Sequence, residues 1–134
     1  MTQQEKNKEL VLAAFEAAFN KRDPEAFERF WSPNYIQHSA HIEPGREGLR
    51  RIIESCPPEL HYENSLIMAE GDLVMLHGRF SGIGIPQNWV VCDIARIENG
   101  LLAEHWDVIQ DEVTKEQSRS GLPMFGDKFP ETIS

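Results

Sequence analysis

The sequence predicts an α+β domain with helices packed on one face of a curled antiparallel sheet. Three observations carry that prediction. Helix-period segments are confined to the part of the chain before Cys56, four strand-length runs follow it, and the turns between those runs are mostly too short for anything but antiparallel neighbours. At 134 residues the whole chain, 1–134, fits one domain able to bury a core of its own, with a tail from about 111 onward.

Residues 3–20 place Leu10, Val11, Ala14, Phe15, Ala18 and Phe19 at helical spacing, and Thr2 with Glu5 matches a capping box. Asn20-Lys21-Arg22 ends this helix. Asp23-Pro24 opens a second one, with an acid at the N-cap and proline at the first helical position; Ala26, Phe27, Phe30 and Trp31 form its apolar face. Ser32-Pro33 stops it, because the proline ring disfavours helical dihedrals in the preceding residue. A short extended piece covers 35–38. A third helix, 47–55, is introduced by Pro44-Gly45 and closed by Cys56-Pro57-Pro58. Runs 59–69, 73–81, 89–97 and 101–109 are rich in Val, Ile, Leu and aromatics and read as strands. Glu70-Gly71-Asp72 and Asn99-Gly100 are hairpin signals, the second stronger because a type I′ turn wants positive φ at both central residues. The tail is charged and then carries GLPMFGDKFP, in which Met124 and Phe125 are candidate docking anchors.

Composition removes several function classes. Thirteen basic against 22 acidic side chains leave a net charge of −9, the wrong sign for nucleic acid or an anionic membrane. No apolar run is long enough to span a bilayer, and MTQQEKNKEL lacks the basic segment and apolar stretch of a signal peptide, so a cytoplasmic location is expected. Cys56 and Cys92 have no CxxC spacing and imply neither a disulfide framework nor a zinc knuckle.

Strand parity then locates the chemistry, because alternate side chains face opposite sides of a sheet. Ionisable residues interrupt otherwise apolar strands: His77 in LVMLHGRF, Asp93 in WVVCDIARI, and His105 with Asp107 in LLAEHWDVI. If Asn99-Gly100 is a plain two-residue turn, Asp93 pairs with Trp106 and the two aspartates face opposite sides. A longer loop or one bulge instead brings Asp93, His105 and Asp107 to one face. Both registers stay open at this level. Burying an unpaired carboxylate costs several kcal/mol or so. The aspartates are therefore either on a wetted face, Asp93 pairing with Arg96 or Arg79, or in a pocket where carboxylates and imidazoles act as acid and base.

The stretches NKRDPEAFERFWSPNYIQHS, GREGLRRI, GDLVMLHGRF and VVCDIARIENGLLAEHWDVIQ, with PMF in the tail, together resemble the SnoaL-like polyketide cyclases of the nuclear-transport-factor-two-like superfamily, which also holds ketosteroid isomerase. YIQHS and EHWDVIQ are the most specific parts. The resemblance implies a cone-shaped curved sheet wrapped around three N-terminal helices, a cavity open at one end, and a homodimer formed through the outer face of the sheet. It places the acid/base aspartate on Asp107, aims Asp93 at the cavity, and makes His38 and His77 cavity residues. It also implies no metal or organic cofactor, and an intramolecular aldol step or an isomerisation of a small, apolar carbonyl compound.

The reading that follows assigns proton transfer to Asp107, orientation or donation to His38 and His77, and polarisation of an imidazole or of substrate to Asp93. Tyr35, Trp31, Phe15, Met75, Trp89 and His105 are the expected substrate-binding residues, with Tyr35 a candidate donor and His105 a candidate support for Asp107. His38 and His41 form an HxxH pair, but three-residue spacing suits a helix better than the loop implied here, so no metal site is expected. His41 and His61 read as solvated side chains, Trp106 as a dimer-surface aromatic, and Glu104 with Arg96 as a cross-strand pair. The second class of function is a small-molecule-binding dimer without turnover.

Overall fold

The computed structural model describes residues 1–130; the end of the tail, 131–134, lies outside the described residues. The N-terminal helix α1 (Gln3–Phe15) starts where Thr2 Oγ1 accepts the Glu5 N–H at 3.1 Å, and it runs on into a wider π-helical turn, Glu16–Asn20. The chain reverses at Arg22, whose φ of 50° lies in the left-handed region. Its guanidinium donates to the carbonyls of Ile53, Cys56 and Pro57, satisfying acceptors left over where the third helix ends.

Helix α2 (Ala26–Phe30) is shorter than the apolar spacing suggests. Trp31 belongs not to its face but to β1 (Trp31–Gln37), which already includes Ser32 and Pro33. Helix α3 (Gly45–Ser55) follows, and then β2 (His61–Glu70), β3 (Leu73–Ser81), β4 (Trp89–Glu98) and β5 (Leu101–Asp111). The sheet order is β1-β5-β4-β3-β2, antiparallel except for β1, which runs parallel to β5. Sequence reading identifies four of these strands with ends off by at most two residues, and finds β1 only as a short extended piece. Helices on one side of a curved sheet make the α+β arrangement that the sequence predicts and the cone that the resemblance implies. No helix among the described residues is long and apolar enough to cross a membrane.

The register between β4 and β5 combines both readings that the sequence leaves open. Asn99 and Gly100 have φ of 52° and 75°, a two-residue turn that pairs Glu98 with Leu101. The pairing then slips by one: Ile97 faces Leu102 but Arg96 faces Glu104, so Ala103 is the extra residue of a bulge. Beyond it Asp93 sits opposite Asp107 and Ala95 opposite His105. One extra residue has moved His105 and Asp107 to the concave face beside Asp93.

That concave face packs on the helices. Val74, Leu76, Ala95, Ile97 and Leu102 meet Val11, Ala14, Phe15 and Ala18 in one buried cluster, and Asn20 ties the π-helical turn to the sheet edge by bonding both the N–H and the carbonyl of Tyr62. Gly78 is required on β3, since a Cβ there would lie 2.4 Å from the buried Tyr62 ring. The tail crosses the convex face, where Phe125 is buried under the Arg79 guanidinium at 4.6 Å, as its reading as an anchor predicts.

Candidate active site

Between α3 and the concave face of the sheet lies a cavity of about 240 Å³. Phe15, Phe19, Trp31, Leu49, Ile53 and Trp89 supply much of its apolar wall, and its ionisable groups include Asp93, His105, Asp107, the Cys56 thiol and, at the rim, His41 stacked on Trp89 at 5.4 Å. Tyr35 and Ser39 add hydroxyl groups. The cavity thus brings together Asp107, Asp93, His105, Tyr35, Trp31, Phe15 and Trp89 of the residues expected at a site.

Three expected members are elsewhere, and parity is the reason for each. On β3, Val74, Leu76 and Gly78 are buried on the concave side, so Met75 and His77 point to the convex face; Met75 is exposed and His77 lies against Phe125. His38 follows Ile36 outward. It is exposed, stacks on Trp106 at 4.9 Å and meets Glu104 at 2.7 Å, and Glu104 also takes the expected cross-strand bond from Arg96. His38, His77 and Met75 are therefore corrected: none lines the cavity.

Sequence reasoning missed Gln37 and Ser39. Residues 35, 37 and 39 share the inward side of the extended chain, so the same alternation that removes His38 points to them. Gln37 Oε1 accepts the Ser39 backbone N–H at 2.9 Å and lies 2.7 Å from His105 Nδ1, while its Nε2 donates to the Tyr35 hydroxyl at 2.9 Å. On its other side His105 Nε2 meets Asp93 Oδ1 at 2.7 Å. A continuous chain of hydrogen bonds therefore runs Tyr35–Gln37–His105–Asp93. His105 bonds to Asp93 and not to Asp107, which makes no side-chain hydrogen bond among the described residues.

Asp93 is 3% exposed, and its Oδ2 and the Ser39 hydroxyl are buried without partners. Burial pushes the Asp93 carboxyl above the ordinary carboxylate range and Asp107 pushes the same way, with the His105 bond opposing them. Burial likewise raises the Tyr35 phenol, which keeps its proton. Gln37 donates to the phenol oxygen, and the phenol O–H meets no acceptor among the described residues.

The Asp93 shift sets a direction for stability. A carboxyl whose pKa is raised on folding binds its proton more tightly when folded, so its contribution is complete below the unfolded pKa of about 3.9 and is lost as pH rises through the folded value. We expect the unfolding free energy to fall with pH in that window, by at most about 1.4 kcal/mol per pH unit from this group. Asp93→Asn, whose amide still reaches His105, removes that component; equal slopes for both proteins in urea titrations across pH would contradict it.

Asp93, His105 and Asp107 each offer a donor atom within 4.8 Å of the others, close enough for the three to reach one cation. The 2.7 Å His105–Asp93 distance is that of a hydrogen bond, and a cation entering there displaces the proton it holds.

Comparisons with known proteins agree with this architecture. No curated protein sequence matches the chain. Among solved structures, TsrD from Streptomyces laurentii shares 27% identity over 82% of this chain and 92% of its own, with a TM-score of 0.67. A candidate polyketide cyclase from Bacillus cereus shares 20% over 78% and 74%, with a TM-score of 0.68. A candidate ketosteroid isomerase from Kribbella flavida shares 17% over 97% and 99%, with a TM-score of 0.71, and shows the same fold. The SnoaL-like domain profile matches residues 11–105, from α1 to the buried histidine of β5, and on that match the chain belongs to the SnoaL-like domain family.

Proposed function

We propose that the protein is an acid/base enzyme that uses its own side chains to move protons on a small carbonyl compound, in an aldol-type ring closure or an isomerisation. The observation that carries this reading is the carboxylate of Asp107 in an apolar cavity wall, without a hydrogen-bond partner among the described residues, opposite Asp93 of β4 and two residues along β5 from the His105 that Asp93 meets. A base and a proton reservoir stand side by side. The cavity is smaller than the roughly 300–1,000 Å³ of drug-sized pockets, which favours a compact, largely apolar substrate.

In this mechanism Asp107 takes a proton from the carbon next to the carbonyl, and the C–H electrons pass into an enolate whose oxygen accepts the Tyr35 O–H. For ring closure the enolate carbon attacks a second carbonyl of the same molecule. The new alkoxide takes the proton held between Asp93 and His105, and the proton on Asp107 then restores that pair. Isomerisation uses the same first step and returns the proton to a different carbon. The test is exchange of α-protons of cyclic monoketones with deuterated solvent, followed by NMR, with retro-aldol cleavage of small β-hydroxyketones in parallel. Exchange faster than in buffer supports the reading. Ketones that bind yet exchange only at the buffer rate overturn it in favour of a binding protein without turnover.

The convex face supports a second copy of the chain as partner: Leu66, Met68, Met75 and Val108 are exposed there, a cost that a homodimer removes. Light scattering should give twice the mass of one chain at assay concentrations. A single-chain mass would exclude the dimer.

A further inference from the structure

We propose that Gln37 is a positioning residue that holds His105 in its Nδ1–H form, so that the Asp93–His105 pair carries two protons and no net charge. The argument is an inventory of donors. The Ser39 backbone N–H can only donate, so the Gln37 atom 2.9 Å from it is the carbonyl oxygen and not the amide nitrogen. Gln37 Nε2 is thereby aimed at the Tyr35 hydroxyl, where it finds an acceptor at 2.9 Å. Gln37 Oε1 also lies 2.7 Å from His105 Nδ1, and an oxygen with no hydrogen requires the ring nitrogen to supply one. Nδ1 carries a proton.

The consequence falls on the other ring nitrogen. His105 Nε2 and Asp93 Oδ1 are 2.7 Å apart, and that bond needs a proton too. A neutral imidazole has only one, already placed on Nδ1. The second is therefore an additional proton, lying either on Nε2 of an imidazolium facing a carboxylate or on the carboxyl of Asp93 facing a bare Nε2. An ordinary His–Asp pair, with neutral imidazole donating to the carboxylate, holds one proton and a charge of −1. The Gln37 carbonyl raises the count to two and brings the charge to zero, which suits a pair whose members are 7% and 3% exposed and which sits beside Asp107.

The use made of that extra proton rests on the acid/base reading above, in which the pair donates to the alkoxide; the protonation pattern itself does not. The experiment is nitrogen-15 NMR of the His105 ring in the full chain without ligand at neutral pH. The wild type should show a protonated Nδ1. Gln37→Met removes the acceptor, and its spectrum should move to the Nε2–H form with Nδ1 in the unprotonated range. Gln37→Glu keeps an oxygen facing Nδ1 and should retain the Nδ1 proton. An unprotonated Nδ1 in the wild type overturns the proposal without any variant, as does a protonated Nδ1 persisting in Gln37→Met. A protonated Nδ1 together with no ketone exchange overturns the acid/base reading alone, and fast exchange with a bare Nδ1 overturns this one alone.

Discussion

In the proposed mechanism, replacing Asp107 by asparagine is expected to lower enzyme-dependent ketone exchange by about 10²–10⁴-fold, the usual contribution of a positioned general base, while leaving the fold intact. The amide is nearly isosteric and the side chain makes no hydrogen bond among the described residues, so no partner is orphaned by the change. What disappears is the lone pair that accepts the proton. Asp93 is a poor substitute because its Oδ1 is engaged by His105 and its burial favours the protonated form. The check is the exchange rate of the variant beside its thermal midpoint. An unchanged rate removes Asp107 from the mechanism, whereas a lost rate with a collapsed midpoint assigns it to structure.

The largest effect on stability is expected far from the cavity. Glu112 has a fully buried side chain that accepts from Arg79 Nε at 2.8 Å and Nη2 at 2.6 Å and from Asn88 Nδ2 at 3.1 Å. Arg79 in turn lies over Phe125, so the carboxylate anchors the tail to the convex face. Glu112→Ala leaves a guanidinium that is 14% exposed with, among the described residues, only the longer contact to Glu63 as ion partner, and breaking such a pair from one side costs about 3–5 kcal/mol. At about 4 °C per kcal/mol for a domain of this size, the melting midpoint should drop by more than about 10 °C. Calorimetry measures it, and an unchanged midpoint would show that the tail and its ion pair add nothing to the fold.

Much of the architecture is legible because it follows from local chemistry. Thr2 caps α1 as its spacing to Glu5 requires, and Asn99-Gly100 makes the turn that its tolerance of positive φ allows. The site is less legible. Tyr35 and His38 attract notice in YIQHS as chemically capable residues, yet an extended chain cannot send both inward. Gln37, with no titrating group of its own, escapes attention although it shares the inward side with Tyr35. On β3 the same alternation separates His77 from the cavity, and the burial of Val74 and Leu76 decides which way the strand faces.

By itself the sequence determined the helices, four of the strands, the hairpin at Asn99-Gly100 and the presence of carboxylates and imidazoles inside apolar strands, because capping, periodicity and turn preference act over a few residues. Only the tertiary structure decided that Ala103 bulges and carries His105 and Asp107 to the side of Asp93. Side chains alternate with a period of two, so one extra residue reverses every face beyond it. The extra residue is placed by packing between distant parts of the chain: Leu102, 1% exposed, lies beside Trp31 of β1 and opposite Ile97 of β4. No local preference within LLAEHWDVI encodes those neighbours.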